Sequence, residues 1–293
     1  MDGVIVVDKP AGWTSHDVVN RMRRLANTRK VGHLGTLDPS ATGVLPLVLD
    51  RATRLAQFYQ RNDKVYEGVV RFGCATTTYD SEGEPTADAV DIEVTREMLE
   101  PLLPSFRGPI QQVPPPISAK KVGGQPAYKL ARRNIEVELK PVEVEVYAFD
   151  LLEVDRAEAR VRVHCSAGTY LRSIAHDLGR LLGTGAFLKS LRRTASGSFD
   201  ISRALTLERL EELAKDGDLV QALIPAAELL PEFPAETVDP PTANFIRQGR
   251  DFRVSPFRAP RTSRYVKAVT EDGKLIAIGE ARLPNVYHPI LVL

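Results

Sequence analysis

Cysteine is scarce and scattered. The 293-residue chain has two, Cys74 and Cys165, without CxxC spacing and without a cluster of histidines beside them, so neither a disulfide framework nor a zinc site is expected. Long hydrophobic runs are missing as well, and no apolar stretch approaches the roughly 20 residues a membrane-spanning helix needs. The N-terminus sets Asp2, Asp8 and Lys9 around a short apolar run, which suits a strand and not a signal peptide. The expected location is the cytoplasm, away from membranes. There is no internal repeat, no low-complexity tract and no metal, redox or ATP signature, so no cofactor is expected. What remains, 43% hydrophobic and 26% charged residues, is ordinary for a globular chain that buries one large core and a smaller unit.

A strong net charge is also absent, the formal value being +1, but the balance hides a segregation. Residues 80–107 carry eight acidic side chains against two arginines, and residues 240–293 carry nine basic against four acidic. Further basic clusters stand at Arg21, Arg23, Arg24, Arg29 and Lys30, at Lys120, Lys121, Lys129, Arg132 and Arg133, and at Lys189, Arg192 and Arg193. Any one of these alone reads more readily as a solvated face. Several, each beside an unusual glycine-bearing segment, point to a polyanionic partner.

Along the chain, residues 3–8 read as a strand, and Thr14 with Asp17 reads as a capping box opening a helix whose apolar stripe is Val18, Met22, Leu25 and Ala26. A helix over 51–59, a strand over 64–72 and a helix near 96–103 follow. Residues 106–140 turn to Gly-Pro, Pro-Pro-Pro, Lys-Lys and Gly-Gly, with a helical piece near 128–133; an excursion of this composition is uncommon unless it moves or binds. Strands over 142–154 and 159–165 are expected to pair antiparallel, followed by a helix from about Thr169, a strand near 186–191 and an acidic helix near 205–213. The proline-rich stretch 229–241 reads as a linker. Beyond it come a helix over 241–248 and strands over 265–269, 275–281 and 286–293, with Asp272-Gly273 as a hairpin turn.

The chemistry centres on residues 32–46, GHLGTLDPSATGVLP, a loop too rich in glycine and proline for helix or sheet, after which the apolar run 44–49 reads as a buried strand. Asp38 is either an Asx-type turn residue or a reactive carboxylate, and the local pattern does not separate the two. A reactive carboxylate wants a cation beside it, and Arg172, next to apolar Leu171 at a helix start, is the candidate: a semi-buried arginine demands an acidic partner. Tyr66, on the strand over 64–72, either packs in the core or stacks on a planar ligand.

Four motifs in order resemble one family, the TruB-type tRNA pseudouridine synthases: Val6 through Ser15, then residues 32–46, then Lys64-Val65-Tyr66 with Gly73, Thr76, Thr78 and Asp80, then residues 168–179, with Leu191-Arg192-Arg193 matching a further one. The resemblance implies isomerisation of uridine 55 in the tRNA T-loop without metal, redox cofactor or ATP. It implies Asp38 as the catalytic aspartate, Arg172 as its ion-pair partner, Tyr66 stacking under the target base, Leu191 lining the pocket and His33 supporting the flipped-out RNA. Lys64, Tyr170, Lys120 and Lys121 are further substrate-binding candidates. Residues 118–133 look like the family's RNA-gripping insertion, with Ile117 where an aromatic is usual and Asn134 where glycine is usual. The last unit is similar to a PUA domain, an RNA-binding β-barrel.

The expected fold class is α+β, a mixed and largely antiparallel sheet flanked by helices, with a catalytic domain over 1–228, its insertion at about 106–140, and a PUA-like domain over 238–293. The expected partner is tRNA, bound by a monomer needing no protein partner. Two alternatives remain: a guide-RNA-dependent, dyskerin-like synthase acting on rRNA, and a tRNA-folding chaperone with incidental catalysis. Whether Asp38 attacks the ribose or the uracil ring, or removes a proton, is open at the level of sequence.

Overall fold

Strand β1 (Gly3–Lys9) is buried on both faces, and alternation divides its side chains. Val4 and Val6 enter one hydrophobic cluster, and Ile5 and Val7 enter another on the opposite face. Its antiparallel neighbour β3 (Thr42–Leu49) repeats the division, Val44 and Val48 on one side, Leu45, Leu47 and Leu49 on the other; β2 (Val31–His33) pairs along its far end. In this computed structural model the described residues are 1–118, 139–255 and 263–293, with the backbone of two short strands between the first two segments.

The remaining strands of the main sheet are β4 (Lys64–Phe72), β5 (Gly108–Gln112), β8 (Val142–Asp155), β9 (Glu158–Cys165), β10 (Ala186–Ser196), β11 (Phe199–Asp200) and β12 (Ile224–Pro225), with β6 (Lys121–Val122) and β7 (Gln125–Pro126) forming a separate ribbon. The order is β12-β1-β3-β10-β4-β9-β8-β5. All pairings along it are antiparallel except β3 with β10, which meet in parallel through only Thr42 with Arg192 and Gly43 with Arg193. The two strands part beyond that contact.

Helices cover one face. The helix Ser15–Leu25 has the expected capping box and buries Val18, Val19 and Met22, beside Leu207, Leu210 and Leu213 of the helix Leu207–Lys215. The helix Leu171–Leu182 packs Leu171, Ile174, Ala175 and Leu178 against β4, β9 and β10.

A second sheet, order β13-β15-β16-β17-β14, curls into a half-barrel from β13 (Ala235–Val238), β14 (Phe252–Arg253), β15 (Tyr265–Thr270), β16 (Leu275–Leu283) and β17 (Val286–Val292). Leu275, Ile278 and Leu291 share one cluster with Val4, Val6 and Ile224 of the main sheet. Lys267 is buried across that junction, donating to the carbonyls of Ala227 and Leu229, and burial pulls its pKa down.

Four local expectations are corrected. The helix over 51–59 is a 3-10 helix, Asp50–Tyr59, which buries Ala52, Leu55 and Tyr59. The helix near 96–103 breaks into Arg96–Leu99 and a 3-10 turn Glu100–Phe106, since Pro101 and Pro104 lack the amide an α-helix needs. The strand near 186–191 runs on to Ser196. The stretch 229–241 is no linker: Leu229 and Leu230 are buried, the Tyr59 hydroxyl accepts the Leu230 amide at 3.0 Å, and β13 pairs in parallel with β15. The helical piece near 128–133 lies outside the described residues.

Gly43 holds the β3–β10 contact. Its φ is +100°, and a Cβ there would stand 2.2 Å from the Arg193 carbonyl oxygen. Gly43→Ala should therefore lower stability by about 2–4 kcal/mol in urea titration through backbone strain and overpacking; a change below about 0.5 kcal/mol would contradict this account of the junction.

Candidate active site

A cavity of about 270 Å³ lies among the loop that precedes β3, strands β4 and β10 and the start of the helix Leu171–Leu182, lined by Gly35, Asp38, Lys64, Tyr66, Tyr170, Arg172, Leu191 and Arg193, among others. Asp38 is delivered by the loop between β2 and β3, which has little regular structure of its own, but the carbonyls of residues 35–39 each accept a hydrogen bond. Leu37 donates to Ser15 Oγ at 2.9 Å and its carbonyl accepts from the same hydroxyl at 3.0 Å. The Pro39 carbonyl accepts the Gly12 amide at 2.9 Å and Lys9 Nζ at 3.1 Å. Ala41 donates to the Asp38 carbonyl at 3.1 Å.

Two buried cations complete the anchoring. Arg193, 1% exposed, donates from Nε to the Val44 carbonyl at 2.7 Å, from Nη1 to Thr36 at 3.3 Å and from Nη2 to Gly35 at 3.0 Å. Lys9, fully buried, follows Ile5 and Val7 on the helix-facing side of β1, and its ammonium donates to the carbonyls of Pro10, Trp13 and Pro39. A buried ammonium or guanidinium without such partners is heavily penalised, so these bonds fix the loop as firmly as they satisfy the cations.

Arg172 enters from the first turn of its helix. Its Nη2 lies 3.0 Å from Asp38 Oδ2, and its Nη1 lies 3.3 Å from Asp80 Oδ2 and donates to the Thr78 carbonyl at 3.3 Å. The two carboxylates differ in setting: the Asp80 side chain is 8% exposed and that of Asp38 is 41% exposed. Asp80 is pinned further, accepting from Thr78 Oγ1 and the Glu82 amide. Arg172 thus keeps a permanent buried counter-charge and presents its second ion pair to the open side. Nearby, Glu82 is pushed above the usual carboxylate range by burial and by the charges of Asp80 and Asp38.

Of the expected residues, Asp38, Arg172, Tyr66, Lys64, Tyr170 and Leu191 come together at the cavity. Tyr66 is half-buried against two of the hydrophobic clusters and also lines the cavity. Burial raises its pKa, and lowers that of Lys64. His33 stands at the loop's entrance, outside the lining set; its Nδ1 accepts the Gly35 amide at 3.3 Å, and burial followed by the Arg193 charge depresses its pKa. Lys120 and the side chain of Lys121 lie outside the described residues. The roles of Lys9, Ser15, Asp80 and Arg193 were not foreseen, although a lysine continuing a buried strand's inward alternation and an Arg-Arg pair in an apolar strand were visible signals. Among the described residues no group of three or more His, Cys, Asp or Glu could hold a metal ion, and no helix is long and apolar enough to cross a membrane.

A carboxylate beside a guanidinium, with an aromatic ring lining the same cavity, is an arrangement suited to covalent or acid–base work on a planar ligand. Comparison with known proteins specifies the class. Residues 23–171 match the N-terminal domain of the TruB family pseudouridylate synthases, and residues 172–230 match the tRNA pseudouridylate synthase B C-terminal domain. Asp38 falls in the first match and Arg172 in the second. The chain is 61% identical over its full length to the tRNA pseudouridine synthase B of Solibacter usitatus, covering all of that protein, and 44% identical to that of Stutzerimonas stutzeri over 96% of this chain and 92% of the relative. Among solved structures it resembles a chain of an H/ACA ribonucleoprotein bound to a substrate RNA containing 2′-deoxyuridine, with TM-score 0.73 and 25% identity, covering 99% of this chain and 84% of that one. A chain of the archaeal box H/ACA Nop10–Cbf5 complex gives TM-score 0.71 and 26% identity over 99% and 85%. The chain belongs to the TruB family of pseudouridylate synthases, and is an isomerase.

Burial lowers the Lys9 pKa to about 8, against a smaller opposing effect of Asp38. Above that pH the neutral amine cannot donate to all three carbonyls, so activity should fall with an alkaline limb near pH 8. Stability moves the other way: between about pH 8 and 10.5 the unfolded chain keeps a proton the folded chain has released, so this group favours folding increasingly as pH rises. A pH–rate profile should show the limb in the wild type and a slow, flat profile in Lys9→Met; an unchanged limb in Lys9→Met would assign it elsewhere.

Proposed function

We propose that the enzyme isomerises uridine 55 in the T-loop of tRNA to pseudouridine, with Asp38 as the carboxylate that carries the rearrangement. The observation that carries the reading is the Arg172–Asp38 ion pair at the edge of the cavity that Tyr66 also lines. The N1–C1′ glycosidic bond breaks, the ring turns, and a C5–C1′ bond forms; C5 loses a proton and N1 gains one, so no atom or electron is added. Such chemistry needs an ionised carboxylate held in place, a closed polar pocket and a base out of its stack.

Each side chain has a task in this scheme. Arg172 orients Asp38, Tyr66 stacks under the flipped base, Leu191 bounds it, and Lys64 with Tyr170 completes the walls. His33 supports the displaced RNA from the loop's entrance, and Lys120 and Lys121 contact it from the insertion. The catalytic domain spans 1–228 and a PUA-like domain spans 238–293, whose basic side chains grip phosphate. The substrate assignment draws support from the relatives named tRNA pseudouridine synthase B, at up to 61% identity in the pairs above. The H/ACA likeness stands at 25–26% identity, which favours a tRNA enzyme over a guide-dependent one; we take it to act in the cytoplasm as a monomer without a protein partner.

The test is chemical mapping of pseudouridine after incubation with an unmodified tRNA transcript. Modification at the T-loop uridine by the wild type and none by Asp38→Asn is expected; modification elsewhere, or by Asp38→Asn, refutes the reading. Arg172→Ala should slow single turnover by about 100-fold or more with tRNA Kd within about threefold. Charge reversal at Arg247, Arg250 or Arg253 should instead weaken Kd by about tenfold and spare the rate at saturation; equal losses of both quantities in both sets would contradict the assigned roles.

A further inference from the structure

Gln112, the last residue of β5, is 2% exposed and spends its whole side-chain amide on one backbone unit. Its Oε1 accepts the Tyr170 amide at 2.8 Å and its Nε2 donates to the Tyr170 carbonyl at 3.0 Å. One side chain thus pairs with Tyr170 as an adjacent strand would. The place matters, because Tyr170 is the N-cap of the helix Leu171–Leu182 and makes no side-chain capping bond of its own. One residue further along β5's exit, the Val113 carbonyl accepts Ser173 Oγ at 2.7 Å. Three hydrogen bonds therefore tie residues 112–113 to residues 170–173, on both sides of Arg172 in sequence.

A neutral amide adds no charge to the site. What it fixes is position: Arg172 reaches Asp38 through a long side chain rooted two residues after the clamped backbone, and a misplacement near 1 Å at a reacting group costs rate on the order of 100-fold. We propose that Gln112 is a positioning residue for the reaction, setting the helix start so that Arg172 meets Asp38 in the productive geometry. The inference rests on the roles given to Asp38 and Arg172 above. It also makes the root of the 106–140 excursion part of the catalytic geometry.

The test compares Gln112→Met, of similar length but unable to make either bond, with Gln112→Glu, which retains an acceptor for the Tyr170 amide. Single-turnover pseudouridine formation at saturating enzyme, tRNA Kd and thermal midpoint are measured for each. Gln112→Met should be about 30-fold slower with Kd within about twofold, and Gln112→Glu should lie between it and the wild type. In an Arg172→Lys background, Gln112→Met should slow the reaction by less than about twofold further, because the geometry it protects is already lost. A purely structural peg would lower the thermal midpoint yet multiply its effect unchanged in that background, and that outcome overturns the proposal. So does a wild-type rate in Gln112→Met, or, should that variant not fold, in Gln112→Glu. Wild-type enzyme that binds tRNA but makes no pseudouridine would instead refute the function on which the inference rests.

Discussion

Three cations buried beside one loop hold this site together. Lys9, Arg172 and Arg193 are each at most 5% exposed, and a charge withdrawn from water must find partners or destabilise the fold. Lys9 and Arg193 find theirs in the carbonyls of residues 10, 13, 35, 36, 39 and 44; Arg172 finds carboxylates. A segment rich in glycine and proline is expensive to order. It is ordered here because the cations require its carbonyls, and it in turn satisfies charges the core could not otherwise hold.

The fold converts that constraint into a reactive geometry. The parallel contact between β3 and β10 lasts two residue pairs, enough to set Arg193 under the loop. The helix Leu171–Leu182 brings Arg172 to the cavity from the other side. With Asp80 as a second, buried partner, Arg172 is held by a contact that does not depend on Asp38. The half-barrel shares its core with β1 and β3, so its surface is fixed to the main sheet.

Much of this was legible in the sequence where signals are local. The capping box at Thr14 and Asp17, the antiparallel pair β8 and β9 and the apolar stripe after Leu171 follow from periodicity and hydrogen-bonding chemistry alone. The motifs around Asp38, Tyr66 and Arg172 supplied the family. What escaped was long-range. Arg193 and Asp80 were placed in motifs by the resemblance, but their charges read only as parts of a basic cluster and of an acidic stretch; that Arg193 is carried into the core under the loop and that Asp80 folds back onto Arg172 was not visible. The prolines of 229–241 suggested a linker because composition does not reveal that Ala235–Val238 finds a parallel partner in β15, a pairing that exists only once the second sheet has formed.

The claim most exposed to experiment is that buried Asp80, by holding Arg172, governs the chemical step without touching substrate. The direct measurement is the single-turnover rate of Asp80→Asn at saturating enzyme, alongside its tRNA affinity. A fall of about tenfold or more with Kd unchanged is predicted, since the guanidinium would lose its charged buried partner while the RNA-contacting surface stays intact. A rate equal to the wild type would show that Arg172 orients Asp38 without its second carboxylate, and would contradict the account.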